Sequence, residues 1–214
     1  MVPNEQLVVL HEDPLFVVVN KPSGVLSVPG LGEANQHCIT RMVRDAYPQC
    51  IEQPSVHRLD MDTSGLMVVA LTKASHRTLS IQFQNREPKK RYVALLEGEL
   101  QEASGRIELP FRLDIDNRPI QIYDEVHGKI GITRWENLGI ENGMTRVAFF
   151  PETGRTHQLR VHAAHEKGLG IPIVGDPFYG TGTGPGQLKL HACNLSFDHP
   201  ETKECLSFES EAPF

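Results

Sequence analysis

Nine consecutive residues, His57–Gly65, carry a dense set of potentially reactive side chains. Their sequence is His-Arg-Leu-Asp-Met-Asp-Thr-Ser-Gly, which places two carboxylates two residues apart beside a histidine, an arginine and two hydroxyl groups. An ionised carboxylate can act as a nucleophile or as a base. We therefore take this segment as the candidate reactive centre of the protein.

A uniformly apolar segment, Leu66–Leu71, follows the nine residues directly. A run this short, with two adjacent valines, is typical of a buried strand. The sequence therefore predicts a loop that enters a core strand, a rigid support for a reactive side chain. The alternative is a polar turn without function, because turns also collect Asp, Ser, Thr and Gly. Turns contain His-Arg-Leu-Asp far less often, which favours the functional interpretation.

The order His-Arg-Leu-Asp followed by Thr-Ser-Gly resembles a motif of the RluA-type pseudouridine synthase family. Three further stretches agree with that family and follow its order along the chain. They are Asn20–Gly24 (Asn-Lys-Pro-Ser-Gly), Lys89–Ala94 (Lys-Lys-Arg-Tyr-Val-Ala) and Gly154–His162 (Gly-Arg-Thr-His-Gln-Leu-Arg-Val-His). Four motifs in order make the resemblance specific, and they cover almost the whole chain.

The resemblance implies an RNA pseudouridine synthase, an isomerase that breaks the N1–C1′ bond of a uridine and joins C5 to C1′. It makes Asp60 the essential carboxylate, Tyr92 the ring that stacks on the uracil, and Arg160 the cation that keeps the carboxylate ionised. Whether Asp60 attacks the base or the sugar stays open. The isomerisation needs no outside electrons, so no cofactor is predicted. No metal is predicted either, because the histidine spacing does not suit three ligands.

The charge distribution also points to RNA. The net charge is −6, yet the segment Lys73–Arg91 holds six basic residues and one acid. Such a segment can simply be a solvated helix face. Because it ends directly before Tyr92, we expect Lys89 and Lys90 to contact RNA phosphates.

Three further residues are expected to assist RNA binding or base flipping. Arg58 lies two residues before Asp60 and could fill the space that a flipped base leaves, or hold its phosphate. His57, in the same loop, is interpreted as structural or RNA-contacting. Arg155 belongs to the last of the four motifs and is also expected to contact RNA.

The order of strand and helix patterns predicts an α+β fold with a mixed, mainly antiparallel central sheet and flanking helices and loops, the pseudouridine synthase fold. Helices are predicted at 35–47, 73–85 and 156–167. We expect a single catalytic domain over residues 1–214, which could be built as two lobes about a central cleft.

The sequence favours a cytoplasmic monomer. It contains no secretory signal and no apolar run of the roughly 20 residues needed to span a membrane. Its four cysteines are not arranged as Cys-x-x-Cys, which is typical of reduced thiols. The first strand pattern begins by residue 6, so we expect the short branch of the family without an N-terminal RNA-binding domain. Members of that branch modify a large-subunit rRNA hairpin and a tRNA anticodon stem-loop.

Two other functions fit parts of the sequence. Asp60 and Asp62 have the Asp-x-Asp spacing of aspartyl-nucleophile phosphohydrolases, but in those enzymes the apolar strand precedes the first aspartate, whereas here it follows. The third candidate is an RNA-binding module without catalytic activity. The presence of Asp60, Tyr92 and Arg160 favours the enzyme.

Overall fold

The computed structural model describes residues 6–214. Its strands are β1 (Val8–Glu12), β2 (Phe16–Lys21), β3 (Ser64–Ala70), β4 (Lys89–Leu96), β5 (Ser104–Leu113), β6 (Gln121–Tyr123), β7 (Lys129–Glu141), β8 (Met144–Pro151), β9 (Leu190–Asp198) and β10 (Cys205–Glu209). Its helices are α1 (Ile39–Ala46), α2 (Lys73–Asn85) and α3 (Gln158–Ala164), with a short 3-10 helix at Glu33–Asn35. None of these helices is both long and apolar enough to cross a membrane.

The chain forms two units. The first comprises the described chain up to Lys89 together with Ala192–Glu211, and the second comprises Lys90–His191 together with Ala212–Phe214. The prediction of an α+β fold with a mainly antiparallel sheet and few helices is confirmed. The prediction of a single catalytic domain over residues 1–214 stays a prediction.

In the first unit, the strands lie in the order β1-β2-β3-β9, and β10 pairs with β9. β2 is antiparallel to both β1 and β3. Alternate side chains of β2 and β3 enter two apolar clusters, one with Leu79 of α2 and the other with Ile39 and Val43 of α1. Both faces of these strands are therefore covered, which explains why their sequences are continuously apolar. The predicted core strand after the reactive segment is confirmed.

Helix α2 begins and ends where the sequence predicts. Thr72 Oγ1 accepts a hydrogen bond from Ser75 N–H at 3.1 Å, and Ser75 Oγ accepts one from Thr72 N–H at 3.3 Å. This reciprocal pair caps the first turn of the helix. Helix α1 is shorter than predicted, because Cys38 is extended and pairs with Leu26 in an isolated bridge.

In the second unit, the strands lie in the order β4-β8-β7-β5-β6, and every neighbouring pair is antiparallel. The apolar core includes Trp135 of β7 and Phe149 of β8. Helix α3 is shorter than the predicted 156–167. His157 has a left-handed backbone (φ 55°), so the helix starts after it. Beyond Ala164 the chain folds back, and a Cβ on Gly168 would lie 2.0 Å from the His162 carbonyl oxygen.

Candidate active site

The loop that carries Asp60 is tied to residues 23–27 of the same unit. Ser27 Oγ donates to the Leu59 carbonyl at 2.7 Å and accepts from the Leu59 N–H at 3.0 Å. Gly24 N–H donates to the Met61 carbonyl at 3.0 Å, and Ser23 Oγ donates to the Asp62 carbonyl. These bonds fix the backbone on both sides of Asp60.

Lys21 adds a buried cation to this attachment. Its side chain is fully buried, and its ammonium donates to the carbonyls of Pro22 (2.9 Å), Val25 (2.6 Å) and Met61 (2.7 Å). A buried ammonium is stable only when its donors are satisfied. Lys21 therefore joins the end of β2 to the residue that follows Asp60.

The two aspartates of the loop have different surroundings. Asp62 is buried, with 3% of its surface exposed, whereas Asp60 is half-buried. The backbone turns at this point, since Thr63 N–H donates to the Asp60 carbonyl at 3.2 Å. Gly65 follows at φ 111°, and a Cβ there would lie 2.3 Å from the Ala192 carbonyl oxygen. A half-buried carboxylate on a fixed loop is accessible to a substrate, which favours Asp60 over Asp62 as the reactive group.

His57 and Arg58 precede Asp60 and differ in exposure. His57 Nε2 accepts a hydrogen bond from Val68 N–H of β3 at 3.1 Å, and its ring stacks on Phe83 of α2 with centroids 4.4 Å apart. These contacts favour a structural role for His57, one of the two that the sequence left open. Arg58 is exposed.

Tyr92 and two lysines lie at the start of β4. Tyr92 is half-buried and pairs with Phe149 of β8. Lys89 is exposed, but Lys90 is half-buried, and burial lowers the pKa of its ammonium. A Cβ on Gly154 would lie 4.0 Å from Lys90 Nζ, so this lysine borders the loop that carries Arg155.

The loop before α3 is held by Gln158, which is buried. Its Oε1 accepts from Thr153 Oγ1 (2.7 Å) and from Arg155 N–H (3.0 Å). Its Nε2 donates to the Ile132 carbonyl (3.0 Å) and to Thr133 Oγ1 (2.9 Å) of β7. The Arg155 backbone is thereby fixed while its side chain is exposed.

Arg160 is buried in α3, and Asp176 is its ion-pair partner. Arg160 Nε donates to Asp176 Oδ2 at 2.8 Å and Nη2 donates to Oδ1 at 2.6 Å, with 1% and 0% of the two residues exposed. The guanidinium carbon also lies 5.1 Å from the Phe178 ring centroid and 5.4 Å from that of Tyr179. The predicted cation is therefore rigidly held within its own unit.

His157 and Tyr179 extend this network. His157 Nδ1 lies 2.8 Å from Tyr179 Oη, which also accepts a hydrogen bond from Gln121 N–H of β6 at 2.8 Å. The Tyr179 hydroxyl proton is thus available to His157, and the His157 ring stacks on Phe178. Bonds of this kind order the segment 176–179 against α3.

A family model described as RNA pseudouridylate synthase matches residues 15–165, which is more than half of the chain. The chain belongs to the RNA pseudouridylate synthase family. The sequence-based prediction of a pseudouridine synthase, an isomerase, is thereby confirmed.

Similar proteins in this family match the chain along most of its length. The dual-specificity RNA pseudouridine synthase RluA of Yersinia pestis is 44% identical over 212 residues, covering 97% of this chain and 100% of that protein. RluA of Escherichia coli strain K12 is 46% identical over 213 residues, covering 97% and 94%. The structure of human RNA pseudouridylate synthase domain containing 1 has a TM-score of 0.79 and 31% identity, covering 100% of this chain and 87% of that one.

The residues predicted from the family motifs fall into two groups. Asp60 belongs to the first unit, together with His57, Arg58 and Lys89. The second unit contains the other candidates, which are Tyr92, Lys90, Arg155 and Arg160. The predicted ion pair between Asp60 and Arg160 stays a prediction.

Sequence reasoning missed two buried charged residues, Lys21 and Asp176. Lys21 was part of a quoted family motif, and its position at the end of an apolar strand was the available signal. Asp176 lies 16 residues after Arg160 in a Pro-rich segment, where no periodic pattern indicates a partner.

Proposed function

We propose that this protein converts a specific uridine of a structured RNA stem-loop to pseudouridine, and that it acts on both a large-subunit rRNA hairpin and a tRNA anticodon stem-loop. The similar proteins from Yersinia pestis and Escherichia coli are named dual-specificity enzymes, and they match this chain over nearly their whole length. A compact stem-loop suits recognition by shape and by unpaired bases.

The proposed reaction centres on Asp60. The N1–C1′ bond of the uridine breaks, the uracil rotates, and a C5–C1′ bond forms. C5 then loses its proton and N1 carries one, so the composition of the nucleoside is unchanged. Asp60 supplies the carboxylate for this exchange, either by adding to the base or by acting at C1′. The half-buried Asp60 carboxylate on its fixed loop, in a member of this family, is the observation that carries the proposal.

Tyr92 and Arg160 are proposed to serve the same reaction. Tyr92 would stack on the flipped uracil and contact the proton at C5. Arg160 would keep the Asp60 carboxylate ionised, since a nearby guanidinium favours the charged form. Support for this role comes from the rigid setting of Arg160, whose orientation is held by Asp176.

Arg58, Arg155 and the lysines are proposed to bind RNA. The exposure of Arg58, Arg155 and Lys89 supports phosphate contacts, whereas His57 would act by supporting the loop. The half-buried Lys90 borders the Arg155 loop and would contribute its charge there.

We also propose that both units serve one catalytic domain, which works as a monomer in the cytoplasm. All four cysteines lie within residues 6–214 and none of them forms a disulfide. Reduced thiols suit a reducing compartment.

Incubation with a uridine-containing stem-loop RNA in the presence of EDTA tests this function. A synthase should form pseudouridine at one position without magnesium. Phosphate release in a parallel reaction with Mg²⁺ would favour the phosphohydrolase, and RNA binding without product would favour the non-catalytic module. Mapping pseudouridines in total RNA with and without the gene would then identify the target nucleotides.

A further inference from the structure

The Asp176 carboxylate is a buried charged group of the second unit that the proposed reaction does not use directly. It is fully buried, and both of its oxygens accept from Arg160, at 2.8 Å and 2.6 Å. Oδ1 also accepts the N–H groups of Phe178 (2.9 Å) and Tyr179 (3.1 Å). Four hydrogen bonds therefore converge on one side chain.

The backbone around Asp176 leaves this carboxylate little freedom to move. Gly175, with φ 76°, packs so closely that a Cβ there would lie 2.1 Å from the Gln187 carbonyl oxygen. Gly180 N–H and Gly182 N–H both donate to the Asp176 carbonyl at 3.1 Å. The Asp176 carboxylate therefore holds the Arg160 guanidinium, which is bound to it, in a fixed position.

The geometry of the ion pair determines how Arg160 is presented. A guanidinium is planar and carries five N–H groups. Asp176 accepts Nε–H and one N–H of Nη2, and two hydrogen bonds to one carboxylate fix the plane of the guanidinium. Because the rings of Phe178 and Tyr179 lie 5.1 Å and 5.4 Å from the guanidinium carbon, rotation of that plane is restricted as well.

We propose that Asp176 is a positioning residue of the pseudouridine synthase reaction, which holds the Arg160 guanidinium in the orientation that its proposed role requires. This inference rests on the proposed function of Arg160. A flexible arginine would lose part of its effect, since catalytic electrostatics depends on groups held in place before the reaction. Asp176 itself contacts no substrate.

Asp176→Asn is the direct test. Asparagine keeps the size of the side chain and an oxygen for the Phe178 and Tyr179 N–H groups. Its amide nitrogen would face Arg160 Nε–H. Because both groups are donors, the hydrogen bond from Nε is lost, and with it the bidentate contact. The single-turnover rate of pseudouridine formation should fall roughly tenfold to a hundredfold, the effect of one charge-assisted hydrogen bond. The Kd for RNA should stay within about threefold, because binding does not need this alignment.

Asp124→Asn is a matched control. Asp124 pairs with Arg112 Nε at 2.5 Å and accepts the N–H groups of Val126 (3.0 Å) and His127 (2.9 Å), which repeats the local pattern of Asp176. Arg112 has no proposed part in the reaction. The Asp124→Asn rate should equal the wild-type rate, and an equal loss in both variants would overturn the proposal.

Two more variants separate positioning from folding. Asp176→Glu keeps the charge but moves the carboxylate by one methylene, so its rate should also fall. In an Arg160→Met background, Asp176→Asn should cause no further loss, whereas a purely structural role predicts a loss in both backgrounds. Trp135 fluorescence checks that each protein is folded. A folded Asp176→Asn or Asp176→Glu variant within about threefold of wild type would overturn the inference. If wild type itself forms no pseudouridine, the proposed function fails instead.

Discussion

Replacing His162 with leucine should reduce the acid sensitivity of the second unit. His162 is fully buried in α3, where its ring contacts Phe111 edge-on at 5.8 Å. A Cβ on Gly131 would lie 2.9 Å from His162 Nε2, so the ring is packed directly against β7. Among residues 6–214, neither ring nitrogen has a hydrogen-bond partner. A neutral ring tolerates this setting, but a charged ring does not.

The size of the effect follows from the pKa. Burial lowers the pKa of His162 from 6.5 to about 4. The unfolded chain therefore takes up a proton on acidification before the folded protein does, and this favours unfolding. The contribution of His162 to stability is intact above about pH 6.5 and is lost as the pH falls toward about 4. At about 1.4 kcal/mol per pH unit, the loss reaches about 2 kcal/mol at pH 5.

Urea denaturation at pH 7.5 and pH 5.0 measures this loss. Trp135, the single tryptophan, lies in the core of the second unit, so its fluorescence reports the unfolding of that unit. Between pH 7.5 and pH 5.0, the free energy of unfolding of wild type should fall by about 2 kcal/mol more than that of His162→Leu. As a control, the exposed His127 can be replaced by glutamine, and this variant should behave like wild type. If the free energy of unfolding falls equally in wild type and His162→Leu, His162 is not the source of this acid sensitivity.

Two further predictions concern RNA binding and the ion pair. Replacing Lys89 and Lys90 together with alanine should weaken RNA binding and flatten its dependence on salt, while the rate at saturating RNA changes little. An unchanged salt slope would make these lysines a solvated surface. Single-turnover rates of wild type should stay level from pH 7 to pH 5, whereas Arg160→Met should slow over that range because Asp60 loses its cation. Parallel profiles would contradict the pairing of Asp60 with Arg160.

The sequence predicts correctly those helices and strands that depend on residues close together in the chain. Helix α2 was predicted correctly because Thr72 and Ser75 form its cap within four residues. The strand after the reactive loop was predicted because Leu66–Leu71 is apolar on both faces. Helix α3 was predicted too long, since the left-handed backbone of His157 cannot be recognised from its residue type.

The supporting groups of the site depend on contacts between distant parts of the chain. Lys21 reaches the carbonyl of Met61, 40 residues away, and Ser27 reaches Leu59, 32 residues away. A family motif identifies such a residue as a candidate but does not reveal its partner. Asp176, the carboxylate partner of Arg160, could not be predicted from the sequence for the same reason.

The most direct test of the central assignment compares Asp60→Asn with Asp62→Asn on one RNA stem-loop. Both variants keep the shape of the side chain and remove the charge, and RNA affinity and folding are measured alongside single-turnover pseudouridine formation. Asp60→Asn should form no pseudouridine while binding RNA normally, and a folded Asp62→Asn protein should stay active. An active Asp60→Asn protein beside an inactive, folded Asp62→Asn protein would contradict the assignment of Asp60 as the reacting carboxylate.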